Sequence, residues 1–298
     1  MNVKVGIIGG SGLADAFSSR SAGQWISHQT PYGQPSSPVL ETQVQGVPVA
    51  FIARHGQGHI YPPSAVNYRA NVYALKQVGC THLISSGAVG SLSEDLKPRS
   101  LVLVDQFIDK TFRRASSFFD LGPVAHVELA QPACPVLSGI LRQAGDALAC
   151  RVHPDGTYVC MEGPQFSTRA ESLLHKGWRA QLIGMTAMPE AKLAREAEMA
   201  YALIAMVTDF DCWRPHVGPA DSLLAEIIGH LHAATDLAIQ LIHAALELIA
   251  TMPAEALASP AHTSLDLAVW TRPESITAEQ FDRCGVLLHR WKAARGLA

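Results

Sequence analysis

The chain has 298 residues, 48% of them hydrophobic, which is enough for one large α/β domain or two small ones. Only 16% are charged and the net charge is -3, without the basic excess expected of a nucleic-acid scaffold. No run of about 18 uncharged apolar residues occurs, so no membrane span is expected, and six scattered cysteines without a Cys-x-x-Cys pair predict reduced thiols rather than a disulfide framework or zinc site. The N-terminus lacks the basic head, long apolar body and cleavage site of a signal peptide. A cytoplasmic protein is the expectation.

Val3 to Ile8 reads as a buried strand running into Gly9-Gly10-Ser11-Gly12-Leu13. Such a turn can bring backbone N–H groups close to a phosphate, with Ser11 offering a hydroxyl. The dinucleotide fingerprint fails, because Asp15 stands where a third glycine belongs. The loop is therefore either structural or an anion cradle. Val39 to Gln43 and Val47 to Ala53 read as a hairpin whose second strand ends in Arg54-His55-Gly56-Gln57-Gly58-His59. Arg54 can hold an oxyanion through two parallel hydrogen bonds; a solvated loop is the other reading. Asn67 to Gln77 has helical spacing. Thr81 to Ser85 is a strand that leads into a second small-residue loop, Ser86 to Leu92, and Leu101 to Ile108 is another strand. The polar and aromatic stretch Thr111 to Val127 reads as a long loop or interface arm carrying Phe118, Phe119 and His126.

Pro135 to Ala147 is an amphipathic helix, and Arg151 to Met161 is a strand region. Thr168 with Glu171 makes a capping box, so a helix starts there, with Phe166 and Ser167 placed before it to stack on and hydrogen-bond a ligand. Pro189 suits the first turn of a helix through Ala200. An apolar run, Tyr201 to Val207, then reads as a buried strand ending in Asp209-Phe210-Asp211. If the strand persists through Asp211, both carboxylates face one place and Phe210 faces away. Two acids there suit proton donation to a leaving group and acceptance of a hydrogen bond from a polar ligand. The competing reading is an acidic turn with Asp209 capping the next element. Ser222 to Ala250 is a long helix, residues 252–263 a linker, Leu265 to Trp270 a short strand or helical turn, and Thr277 opens a final helix to about Arg295. Alternating strands and helices predict an α/β fold, a sandwich around a central sheet with ligand groups at the strand ends.

Taken together, the motifs resemble the trimeric branch of the purine nucleoside phosphorylases, and within it the methylthioadenosine phosphorylase family. The resemblance runs from Val3 to about Ala250. It rests on Gly6 to Leu13, Ala53 to His59, Val66 to Asn71, Gly79 to Ile84, Glu162 to Ser172, Gly184 to Glu190 and Thr208 to Trp213. It implies a single-domain αβα sandwich around a mixed sheet over residues 1–250, with residues 251–298 packed on it. It also implies reversible phosphorolysis of a methylthio-purine nucleoside. Phosphate is the co-substrate, and no resident cofactor or metal takes part. Neither nucleic acid nor membrane is a partner, and the chain forms a homotrimer.

Residue by residue, the resemblance assigns phosphate to Ser11, Arg54, His55, Gly87, Ala88 and Thr186. It assigns the ribose to Met185, the purine to Phe166, Ser167 and Phe210, and the base N7 and 6-amino group to Asp209 and Asp211 as catalytic residues. His126 reaches a neighbouring subunit near the 5′ substituent, whose pocket Leu224 and Ile227 line. The chain departs from the family at Gly87, where a threonine is usual, so one hydroxyl is missing. That departure is the one feature favouring a catalytically weak nucleoside-binding protein, and adenosine or methylthioinosine are the alternative substrates.

Overall fold

The computed structural model describes residues 2–10, 13, 23–148, 150, 152–215 and 220–297. Among these, eleven strands form one mixed sheet. Its middle is four parallel strands in the order β4 (Val47–Ala53), β1 (Val5–Gly9), β5 (His82–Ser91) and β11 (Ala200–Asp209). β1, β4 and β11 are near-continuous apolar runs because both faces of a parallel sheet are covered. Beyond β4 lie β3 (Val39–Val44) and β2 (Gln24–Ile26), both antiparallel to their inner neighbours.

The sheet forks at β5. One branch continues through β11 to β6 (Leu101–Val104) and β8 (Val152–His153). In the other, the far end of β5 pairs antiparallel with β10 (Leu182–Gly184), which carries β9 (Thr157–Cys160) and β7 (Gln106–Asp109) in parallel.

The two-residue alternation of the strands builds two cores. Ile8, Ile52, Leu83 and Leu203 join Val72 of α1 (Tyr68–Gln77) and Leu193 of α4 (Glu190–Glu196) on one face. Ile7, Phe51, Ile84 and Ile204 join Leu137 of α2 (Pro135–Ala147) and Leu241 and Leu246 of α5 (Ala220–Thr251) on the other. The αβα sandwich is thus the fold observed. Within α5, Leu224–Thr251 is long and apolar enough to cross a membrane by length and composition, and half of that window is buried inside the protein. The capping box opens α3 (Arg169–Gly177) as expected: Thr168 Oγ1 accepts from the Glu171 N–H, and Glu171 Oε2 accepts from the Thr168 N–H at 2.8 Å.

Several expectations need correction. The segment Ser86 to Ser91 is not a loop but the second half of β5, where backbone pairing with β11 and β10 outweighs its small-residue composition. The strand expected over Leu101 to Ile108 is two, because β6 pairs with β11 whereas β7 pairs with β9. The helix after Pro189 stops at Glu196, and Ala200 already belongs to β11. The final helix is interrupted: α6 (Ala278–Cys284) ends at Gly285, whose φ of 46° lies outside the helical range, and α7 (His289–Ala293) follows a short 3-10 turn. Leu265 to Trp270 is a turn with one bridge, Val269 to Ala125, and Leu265, Cys284, Leu287, Leu288 and Trp291 enter the core shared with α1 and α4. Phe118 and Phe119 do not project from the arm. They are buried in that core, with Phe118 edge-on to Tyr32 at 5.0 Å, while Phe112, Leu121 and Val124 are exposed.

Candidate active site

The C-terminal ends of β1, β4, β5, β9, β10 and β11 converge, as ligand sites of open α/β sheets do. Arg54 follows β4 and is 1% exposed. Its Nε donates to Glu190 Oε2 at 3.0 Å, and its Nη2 donates to Glu190 Oε1 at 3.3 Å, Ser85 Oγ at 2.6 Å and Ile8 O at 3.4 Å. Its Nη1 donates to Ser86 O at 2.8 Å. A guanidinium has five N–H groups, so one N–H on Nη1 has no acceptor among the described residues. That nitrogen lies 3.7 Å from where a Cβ at Gly10 would stand. The bidentate anion clamp expected of Arg54 is therefore not available: the forked edge is held by Glu190. Burial works against the charge of Arg54, but the Glu190 carboxylate outweighs it and holds the guanidinium protonated. Glu190 also accepts from Ser85 Oγ at 2.5 Å and Tyr201 OH at 3.1 Å.

His55 is neutral. Burial first and the Arg54 charge second push it down to about 4. Its Nδ1 bonds Tyr61 O at 2.8 Å, so the proton sits on Nδ1, because a carbonyl only accepts. The ring stacks on His59 at 4.2 Å. The imidazole therefore brings no positive charge to an anion. Gly87 and Ala88 are on β5, Gly87 buried and Ala88 exposed. A Cβ added to Gly87 would lie 3.2 Å from Thr186 Oγ1, so the gap left by the missing side chain adjoins the Thr186 hydroxyl. Ser11 lies outside the described residues.

Asp209 ends β11, but the strand does not persist through Asp211, whose φ is 48°. The chain turns back, and the Asp211 N–H donates to Asp209 Oδ1 at 2.7 Å. Both acids still meet at one place: a Cβ at Gly90 would stand 3.2 Å from Asp209 Oδ1 and 3.2 Å from Asp211 Cβ. Thr208 Oγ1 donates to Asp209 Oδ2 at 2.7 Å, and Ser172 of α3 donates to Asp211 Oδ2 at 2.5 Å. Burial raises the Asp209 pKa and the Asp211 charge adds to it, against the hydrogen bonds from Thr208 and Asp211 N–H. Phe210 packs edge-on against Trp213 at 6.1 Å, with the Arg214 guanidinium 4.4 Å from its ring centre.

Ser167 O accepts from Cys212 Sγ at 3.2 Å, which ties the segment before α3 to the aspartate turn. Phe166 is 85% exposed. Met185 follows β10, and a Cβ at Gly163 would come within 2.5 Å of its Sδ, so glycine is required for that approach. On α5, Ile227 is half-buried and Leu224 is 63% exposed. One turn beyond Ile227, His230 Nδ1 bonds Thr208 O at 2.8 Å and anchors the helix to the end of β11. His126 is not brought to these groups by its own chain. Its N–H donates to Ala268 O at 2.9 Å and its ring packs against Trp270 at 4.8 Å. Among the described residues, no group of three or more His, Cys, Asp or Glu is placed to hold a metal ion.

Glu190, Ser172, Arg114 and His230 support this cleft without having been singled out from the sequence. Glu190 ends the stretch Gly184 to Glu190, but its partner Arg54 is 136 residues away. No local pattern signals that pairing.

A model of the phosphorylase superfamily matches residues 4–247. The chain is 53% identical over 221 residues to S-methyl-5′-thioadenosine phosphorylase of Cereibacter sphaeroides, covering 74% of this chain and 76% of that one. It is 43% identical over 298 residues to the protein of the same name from Thermosynechococcus vestitus, covering 98% and 100%. Among solved structures, a methylthioadenosine phosphorylase from an antarctic soil metagenomic library superposes with a TM-score of 0.88 at 47% identity over 97% of this chain and 100% of that one. A variant of the adenosine/methylthioadenosine phosphorylase of Schistosoma mansoni, in complex with methylthioadenosine, superposes at 0.78 with 39% identity over 86% and 94%.

Proposed function

This chain belongs to the phosphorylase superfamily, among the S-methyl-5′-thioadenosine phosphorylases, and from that premise we propose that it cleaves 5′-methylthioadenosine with phosphate to give adenine and 5-methylthioribose 1-phosphate, reversibly. The observation that carries the reading onto this chain's own residues is Asp209. Burial pushes its carboxyl toward the protonated form, at the end of a strand paired with β5, whose Ser86 accepts from Arg54 and whose Gly87 adjoins Thr186.

In this reaction the bond from the anomeric carbon to N9 stretches and its electrons pass into the purine. Asp209 gives its proton to N7, so the leaving base departs neutral, and solvent restores the proton. Asp211, fixed by Ser172, accepts a hydrogen bond from the 6-amino group. A phosphate oxygen then bonds to the anomeric carbon. The Nη1 N–H of Arg54 beside Gly10, the Thr186 hydroxyl, the Ala88 N–H and Ser11 hold the phosphate, and neutral His55 accepts from its hydroxyl. Met185 lies under the ribose, Phe166, Ser167 and Phe210 border the purine, and Ile227 and Leu224 line the 5′ pocket. The reading takes no resident cofactor or metal. It takes a homotrimer in the cytoplasm, with His126 of one copy near the 5′ substituent bound by the next.

Adenosine is the second reading. Leu224 is largely exposed, so this chain alone leaves the 5′ wall open, and the Schistosoma relative is named for both nucleosides.

The deciding experiment is adenine release from methylthioadenosine and adenosine, and hypoxanthine release from methylthioinosine, each with and without phosphate. Phosphate-dependent release, fastest from methylthioadenosine, is expected. Release without phosphate would overturn the reaction, and preference for methylthioinosine would overturn the base assignment.

A further inference from the structure

Arg114 lies on the arm between β7 and α2, and its side chain is only 1% exposed. Its Nε pairs with Glu162 Oε1 at 3.2 Å. Its Nη1 donates to Met185 O at 2.6 Å, Met188 O at 2.6 Å and Tyr68 OH at 3.1 Å, and its Nη2 donates to Glu162 O at 2.7 Å and Met161 O at 3.4 Å. The Tyr68 ring centre lies 5.2 Å from its Cζ. Four backbone carbonyls therefore converge on one guanidinium, two from each of two loops. Met161 and Glu162 follow β9 and lead to Phe166 and Ser167. Met185 and Met188 follow β10 and flank Thr186.

β9 and β10 run parallel and end side by side. Beyond their last rungs these carbonyls need donors, and a buried carbonyl left without one is costly. A planar fork with donors on both terminal nitrogens can serve two loops at once; a lysine, with all its donors on one atom, cannot. The Glu162 carboxylate completes the clasp by accepting from the N–H groups of Phe112 at 2.8 Å and Arg113 at 3.2 Å, so the arm's backbone is fixed by the same pair. Between the loops, Met185 already sits as close to Gly163 as a glycine allows.

We propose that Arg114 is a positioning residue for the nucleoside: it sets the spacing between the loop that presents Phe166 and Ser167 to the purine and the loop that presents Met185 and Thr186 to the ribose and phosphate. This rests on the reaction proposed above. Arg114 touches no reacting atom, and its effect reaches the substrate through four carbonyls.

The test uses Arg114→Lys, Arg114→Ala and Glu162→Gln in the full chain, with kcat and KM for methylthioadenosine measured at saturating phosphate beside the melting temperature. Arg114→Lys keeps the charge but not the fork. It is expected to lower kcat/KM by roughly tenfold to a hundredfold, as displaced positioning groups do, in protein that still melts cooperatively. Arg114→Ala is expected to fall further and to regain activity with ethylguanidinium but not with ethylammonium. If Arg114→Ala does not fold, Arg114→Lys and Glu162→Gln carry the test. A kcat/KM within about twofold of wild type in Arg114→Lys, or equal rescue by both cations, overturns the proposal. If wild type shows no phosphate-dependent release, the reaction itself fails. The clasp is then judged by calorimetric Kd for adenine, which Arg114→Lys should weaken; an unchanged Kd overturns it.

Discussion

The two ends of the cleft are built on opposite plans. At the proposed anion end, Arg54, Glu190, Ser85 and Tyr201 are buried and bonded to one another, and among the described residues one N–H of Arg54 has no acceptor. At the proposed base end, Phe166 stands in solvent, and Asp211 accepts from the Ser172 hydroxyl of α3. Charge explains the contrast. A guanidinium cannot be buried unless a carboxylate and further acceptors surround it, so the anion end is completed by the protein before any ligand arrives. The proposed base end needs no fixed charge except two acids, and burial raises the pKa of one of them, Asp209. The nucleoside itself can finish that end.

The strongest way to break this comparison is Asp209→Asn. If Asp209 is the acid, turnover on methylthioadenosine should fall by about a hundredfold to ten-thousandfold, while phosphate binding measured by calorimetry stays intact. The wild-type rate should also fall as pH rises through the raised Asp209 pKa, because the protonated form is lost there. The variant should lack that limb, and a variant with near-normal turnover would remove Asp209 from the mechanism.

Glu190→Gln tests the other end. It leaves the buried Arg54 charge without its counter-ion, at a cost of about 3–5 kcal/mol by chemical denaturation, and should raise the phosphate KM as the guanidinium shifts. A loss below about 1 kcal/mol would mean that Arg54 is stabilised by the carbonyls of Ser86 and Ile8 instead.

Ser172→Ala sharpens the base end. Asp211 loses the hydroxyl that donates to its Oδ2, and hydrogen bonds to charged groups are worth about 1.5–3 kcal/mol, so nucleoside KM should rise by about tenfold or more with phosphate KM unmoved. Equal changes in both constants would mean that the two ends are not independent.

Gly87→Ser has the smallest expected effect. It restores a hydroxyl beside Thr186 and should lower phosphate KM a few-fold, since one neutral hydrogen bond contributes about 0.5–1.5 kcal/mol. Serine is the better choice than threonine, because the added Cβ already stands 3.2 Å from Thr186 Oγ1. An unchanged phosphate KM would show that the backbone N–H of Ala88 suffices there.

Much of the fold was legible because it follows from local chemistry. Continuous apolar runs marked β1, β4 and β11, the amphipathic pattern from Pro135 marked α2, and Thr168-x-x-Glu171 opened α3 where expected. The errors cluster where a partner far away in sequence decides. Ser86 to Ser91 looks like a loop until β11 and β10 pair with it. Phe118 and Phe119 look like surface aromatics until Tyr32 and Glu196 meet them. Asp209 and Asp211 were placed together for the wrong reason: a turn, not strand alternation, brings them to Gly90.

By itself the sequence determined which groups exist at the strand ends: two acids, an arginine, a histidine, small residues and a missing hydroxyl at Gly87. It also determined the elements that carry them, because hydrophobic period and capping are properties of neighbours along the chain. Only the tertiary structure decided how each group is used. Whether a guanidinium faces a ligand or a carboxylate, whether an imidazole is charged, and whether four loop carbonyls share one arginine depend on burial and on partners brought from distant parts of the chain. Electrostatics in a low-dielectric interior is set by those three-dimensional neighbours.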